Sequence, residues 1–122
     1  MIPFSPPKID QHIIDAVINV LKSGWITTGP QTVRFEQALR EFLQNKRTLC
    51  VNSATAGMEL MLRWFGVTRG DEVILPAYTY AATANVILHV GAKPVFVDIQ
   101  DDFNISVEQV RAAITSRTKV II

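Results

Sequence analysis

The chain has 122 residues, 48% of them apolar and 19% charged, with 12 Lys+Arg against 11 Asp+Glu. That composition excludes a disordered or low-complexity chain, and a net charge of +1 gives no electrostatic case for nucleic acid or a membrane surface as partner. The single cysteine, Cys50, excludes an intrachain disulfide framework and fits a reducing compartment, so the expected setting is cytoplasmic.

Residues 1–8 read as an extended arm, because Pro3, Pro6 and Pro7 exclude regular helix. Met1 to Pro7 has neither the basic start nor the apolar core of a signal peptide. Asp10 is a helix cap, followed by Ile13, Ile14, Val17, Ile18 and Leu21 at helical spacing, with Gly24 at the C-terminal cap. Residues 23–31 form a loop containing Gly24, Gly29 and Pro30. Thr32 is expected to open a second helix, with Phe35, Leu39, Phe42 and Leu43 on one face.

The pattern changes after Lys46-Arg47. Thr48-Leu49-Cys50-Val51 reads as a short buried strand that ends at Asn52-Ser53. The next helix carries Met58, Met61, Leu62 and Phe65 on one face, with Leu60 and Trp64 opposite, so cover on both sides is expected. Strands are predicted at 72–75, 94–97 and 118–122, and helices at 79–90 and from Ser106. Ser106 and Gln109 have the capping-box spacing, and Val107, Val110 and Ile114 should face inward. Short strands without alternation, separated by helices, imply an α/β fold: a mostly parallel sheet with helices on both faces. The apolar stretch 81–97 is broken by Asn85, His89, Lys93 and Pro94, so no membrane span is expected. The chain stops within Lys119-Val120-Ile121-Ile122 without a turn, which leads us to expect a fragment of a longer protein.

The six glycines form neither a dinucleotide fingerprint nor a P-loop. His12, His89 and Cys50 lack metal-ligand spacing, and Asp98, Asp101 and Asp102 read as a solvated turn. His89 reads as a capping or surface residue and Cys50 as a buried small apolar one. Asn52-Ser53-Ala54-Thr55-Ala56-Gly57 joins a strand end to a helix start, and its small residues and outward amides suit a phosphate. The same residue types also serve an ordinary N-cap. In Pro76-Ala77-Tyr78-Thr79-Tyr80 an aromatic ring could lie flat on a planar ligand, or simply pack the loop.

Four segments occur in order: Ser23-Gly24-Trp25-Ile26-Thr27-Thr28-Gly29-Pro30, Asn52 to Met58, Gly70 to Pro76 with Tyr78-Thr79-Tyr80, and Gly91 to Asp98. With Pro3-Phe4-Ser5, Ala113-Ile114-Thr115 and Thr118-Lys119, they resemble the DegT/DnrJ/EryC1/StrS family of sugar-nucleotide aminotransferases dependent on pyridoxal 5'-phosphate (PLP).

The resemblance spans the chain and corresponds to about the first third of a family member, roughly one domain's worth of residues. It implies the N-terminal part of the large domain of a fold type I PLP-dependent transferase. Residues 1–47 would be the arm and helices bordering the active site. Residues 48–122 would be a partial PLP-binding α/β domain, ending before the catalytic lysine. The implied activity moves an amino group, from glutamate, to a nucleotide-linked keto sugar for polysaccharide or glycan biosynthesis, in a homodimer.

By position, the resemblance gives Ser53, Ala54 (through its amide) and Thr55 to the cofactor phosphate and Tyr80 to its ring. Thr27, Thr28 and Gly29 border the sugar. Lys8, Lys22, Lys46, Lys93 and Lys119 match no catalytic position, so this chain alone is expected to be inactive and to bind the cofactor weakly at most. Two further readings stay open: a relative that dehydrates its sugar, with histidine for lysine, and a non-catalytic stand-alone α/β module.

Overall fold

The computed structural model describes residues 5–122. Pro3 of the expected arm, and Pro3 and Phe4 of the family-like opening, lie outside the described residues. The chain divides into two compact units between Cys50 and Val51.

The first unit carries two helices. Asp10 caps α1 (Gln11–Ser23) by accepting the Ile13 N–H at 3.0 Å, and Gly24 ends it with φ 73°. At that left-handed φ a side chain would be strained, which explains the glycine. The second helix, α2 (Pro30–Leu43), begins two residues earlier than expected at Thr32. Gly29 is its N-cap and Pro30 its first residue, where a missing N–H costs nothing. Neither helix buries a residue, and Ile13 and Val17 at helical spacing on α1, like Phe35 and Phe42 on one face of α2, remain exposed. Helical spacing places apolar side chains on one stripe but does not supply a layer to cover it.

The strand expected at residues 48–51 does not form. A strand needs a partner for its peptide groups, and here the Cys50 N–H donates to Glu36 Oε1 at 2.8 Å instead. Cys50 is accordingly half-buried and lies in no strand.

The second unit is a layered α/β structure. In order it comprises α3 (Ala54–Trp64), β1 (Glu72–Pro76), α4 (Ala81–His89), β2 (Lys93–Val97), α5 (Val107–Ala113) and β3 (Thr118–Ile121). The three strands are parallel in the order β2-β1-β3. The chain moves outward from β1 to β2 and then back across to β3. Right-handed crossovers in opposite directions put α4 and α5 on opposite faces.

The core shows the same division. Val73 and Leu75 of β1 pack with Leu62 of α3 and with Val86 and Ile87 of α4. Ile74, pointing the other way, packs with Val97 and with Val110 of α5. So the α/β class with both faces covered is what the chain builds.

Several side chains expected inward are not. Met61 and Phe65 are half-exposed, and Leu60 and Trp64 are not covered as expected. The reason is that α3 meets the sheet layer along Met58 and Leu62. On the short α5 only Val110 is buried, leaving Val107 and Ile114 exposed. The capping box is half-made: Ser106 Oγ accepts the Gln109 N–H, but the Gln109 side chain accepts the Asp98 N–H at 2.7 Å. The Ser106 N–H goes to the Asp98 carbonyl, so it does not need Gln109. Among the described residues no helix is long and apolar enough to cross a membrane.

Candidate functional site

The α3 N-terminus lies at the carboxyl edge of the sheet. Just past the end of α3, the Gly66 carbonyl accepts from Lys119 Nζ at 3.0 Å, at the amino edge where β3 begins. From there the 11 residues of α3 run back ~16 Å, about the length of the strands. The turn that follows β1 is held at the same carboxyl edge, where the Ala77 N–H donates to the Val97 carbonyl at 2.7 Å. It leads directly into α4, whose N-cap is Tyr80. Two helix N-termini thus open on one edge, which is where open α/β sheets take ligands.

At the first of these, Ser53 is the N-cap, and its Oγ accepts the Ala56 N–H at 3.1 Å. Its carbonyl accepts from Gly57, which leaves the Ala54 and Thr55 amides without a partner among the described residues. Two free N–H groups at the positive end of a helix dipole suit a dianionic group. Ser53 and Ala54 are exposed and Thr55 is half-buried. The capping reading and the anion reading therefore do not compete, because Ser53 caps one amide and the next two stay free.

At the second, Tyr80 is 84% exposed, which leaves its ring free to meet a ligand. Its backbone is fixed from within. The Thr83 N–H donates to the Tyr80 carbonyl at 2.9 Å, and the hydroxyls of Thr79 and Thr83, four residues apart, pair at 3.2 Å. Tyr78 turns aside to meet Phe103, with ring centroids 5.8 Å apart and planes at 43°. Phe103 follows directly on Asp101 and Asp102 of the turn and is not among the site residues expected from the sequence. Its left-handed φ of 65° is held by the Asp102 carboxylate, which accepts both the Asn104 N–H and its side-chain amide. Those hydrogen bonds hold the Asp102 carboxyl below its ordinary range, the side-chain amide of Asn104 foremost. An Asp-x-Asn pair around an aromatic was the available signal.

The amino edge is chemically different. The Glu72 side chain is buried, and its carboxylate accepts from the Thr115 hydroxyl at 2.7 Å, Arg117 at 2.9 Å and Lys93 at 3.3 Å. These partners, the Thr115 hydroxyl foremost, lower its pKa to about 2 against the pull of burial. Lys93 is thus occupied at the edge away from the helix N-termini, as is Lys119, 3.7 Å from Asp71. His89 ends α4 at the surface and pairs with Glu59 of α3 at 3.0 Å. Among the described residues no group of three or more His, Cys, Asp or Glu is placed to hold a metal.

In the first unit, Thr27, Thr28 and Gly29 lie on the connector between α1 and α2. Both threonines are exposed, and Gly29 caps α2 by accepting the Val33 N–H through its carbonyl at 3.1 Å.

Comparison with known proteins gives a single answer. The DegT/DnrJ/EryC1/StrS aminotransferase family matches residues 7–122. An uncharacterised protein of Methanocaldococcus jannaschii is 50% identical over 98% of this chain and 31% of its own length. The UDP-4-amino-4-deoxy-L-arabinose–oxoglutarate aminotransferase of Shewanella sediminis is 44% identical over 99% of this chain and 31% of its own. A Streptococcus pneumoniae protein assigned as a sugar aminotransferase, solved in its PLP form, superposes with a TM-score of 0.91. It is 54% identical over 98% of this chain and 31% of its own. The chain therefore spans about 31% of the length of these relatives.

Proposed function

The chain belongs to the DegT/DnrJ/EryC1/StrS aminotransferase family, and from that premise we propose that it forms the N-terminal part of a PLP-dependent sugar aminotransferase. The reaction transfers an amino group from glutamate to a nucleotide-linked keto sugar, for polysaccharide or glycan biosynthesis. The observation that carries this reading is the pair of unpartnered amides of Ala54 and Thr55 at the same sheet edge as the exposed Tyr80 ring. The amides and the Thr55 hydroxyl bind the cofactor's phosphate, with Ser53 fixing the helix end. Tyr80 would cover the face of the cofactor's ring. When bound, the cofactor supplies the electron sink of amino-group chemistry. Thr27, Thr28 and Gly29 border the sugar.

The chemistry also needs a lysine that bonds covalently to the cofactor. Lys93 and Lys119 are engaged at the opposite edge. Lys8, Lys22 and Lys46 lie before α1, in its last turn and after α2. None is at a strand's carboxyl end, so the reading holds this chain inactive on its own. The exposed apolar faces of α1 and α2 support burial in a larger assembly, a homodimer whose active sites draw on both subunits. The free Cys50 fits a cytoplasmic setting.

The test uses the product of the full reading frame that contains this sequence. It is loaded with PLP, reduced with borohydride and digested for mass spectrometry. A PLP adduct on one lysine outside residues 1–122, together with amination of a member of a panel of nucleotide-linked keto sugars, is expected. An adduct on one of the five lysines here overturns the positional argument. No adduct in the folded protein overturns transamination.

A further inference from the structure

We propose that Trp25 is a positioning residue for sugar specificity, its indole clamping the turn that presents the Thr27 and Thr28 hydroxyls. The inference rests on the reading above, which gives that turn to the sugar.

The indole Nε1–H donates to the Thr28 carbonyl at 3.0 Å, spanning the connector from its start to its end. The near end is fixed as well. The Trp25 N–H donates to Ser23 Oγ at 3.2 Å, and that hydroxyl donates to the Val20 carbonyl at 2.6 Å, within the last turn of α1. The far end is anchored where Gly29 and Pro30 begin α2. The clamp therefore joins two helix ends through one aromatic ring.

Gly29 shows how closely the ring sits. Its φ of −164° is extended backbone that any residue adopts, so conformation does not require glycine there. Space does. A Cβ at Gly29 would stand 2.6 Å from Trp25 Cδ1, 2.9 Å from Cε2 and closer still to Nε1. The ring fills the place of the missing side chain.

This is not core packing, since Trp25 is 57% exposed. Among the described residues neither threonine hydroxyl forms a hydrogen bond. The turn is held rigid through its backbone while its polar side chains stay free, the arrangement that lowers the ordering cost of binding a polyhydroxyl ligand.

The test again uses the full reading-frame product, with the nucleotide-linked keto sugar that the panel selects. Trp25→Ala and Trp25→Phe are measured by steady-state kinetics, and by calorimetric titration of that sugar nucleotide. Loss of the clamp raises the sugar's KM and Kd by roughly threefold to tenfold, with the glutamate KM and kcat within about twofold of the unsubstituted enzyme. Trp25→Phe keeps an aromatic ring, though a smaller one, and loses the Nε1–H donor, so it follows Trp25→Ala with less disturbance of packing.

Gly29→Ala drives the indole out and gives the same loss. The double variant Trp25→Ala/Gly29→Ala is no worse than Trp25→Ala, because both act through one clamp. An unshifted sugar KM, an equal rise in the glutamate KM, or additive losses in the double variant overturn the inference while leaving the aminotransferase reading intact. An unsubstituted protein that aminates no sugar in the panel overturns that reading, and this inference with it.

Discussion

Replacing Ala54 with proline tests the phosphate site at a single atom. Ala54 is the first residue of α3, and its N–H has no partner among the described residues. Proline is at home in that position, since its ring fixes a helical φ and the N–H it lacks was free. The residue before a proline must be extended, and Ser53 already has φ −160° and ψ 157°. The helix should therefore form unchanged, while one of two phosphate donors disappears. A hydrogen bond to a charged group contributes about 1.5–3 kcal/mol, so PLP affinity should fall roughly tenfold to a hundredfold. Spectrophotometric titration of the full reading-frame product with PLP reads this directly. A parallel titration with pyridoxal, which lacks the phosphate, should show no change. Ala54→Ser, which keeps the N–H, should behave as the parent. Unchanged PLP affinity in a proline variant with normal circular dichroism and melting would refute the assignment. An equal loss toward pyridoxal would mean that the turn had simply deformed.

Tyr80→Ala should weaken PLP binding by roughly twofold to tenfold through lost stacking, and Tyr80→Trp should restore it; equal affinities in all three would remove the ring from the site. Glu72→Gln should lower the urea midpoint at neutral pH, because a buried carboxylate gathers Thr115, Arg117 and Lys93. Its folded pKa of about 2 lies below the ordinary 4.5, so this stabilisation is full above the ordinary value. It drains away as pH falls toward about 2, and the gap between parent and variant should close over that window. A gap that widens on acidification would reverse the sign of the coupling. Ile74→Ala empties a fully buried position on the central strand and should cost about 2–5 kcal/mol in urea unfolding; a loss under about 1 kcal/mol would mean that the α5 face collapses to fill the hole.

Helix ends were the most legible feature of this chain, because their signals are local. Asp10, Ser53 and Ser106 each accept an N–H three residues on, the contact their residue types foretold. The strands of the second unit were also readable, since Val73, Ile74 and Leu75 form a continuous apolar run that only a doubly covered strand can carry. Helix faces were read less well. Periodicity marks which side chains share a stripe, but not whether a partner layer covers it. Phe35, Phe42, Val107 and Ile114 share stripes and stay exposed.

Residues 48–51 show why the remainder could not be read locally. Their composition is that of a strand, yet strand formation is a property of a pair. The central β1 already has β2 and β3 on its two sides, and Glu36 takes the Cys50 N–H. The candidate site escapes this difficulty because it is made of helix N-termini and the side chains beside them. The Ala54 and Thr55 amides are free because they open the helix, and the Ser53 oxygens take the next two, an arrangement written in five consecutive residues. Residues that act across a turn were the hardest to see. Trp25 on Thr28 and Phe103 on Tyr78 depend on the path of a loop, and no periodicity announces a ring folded back over its own chain.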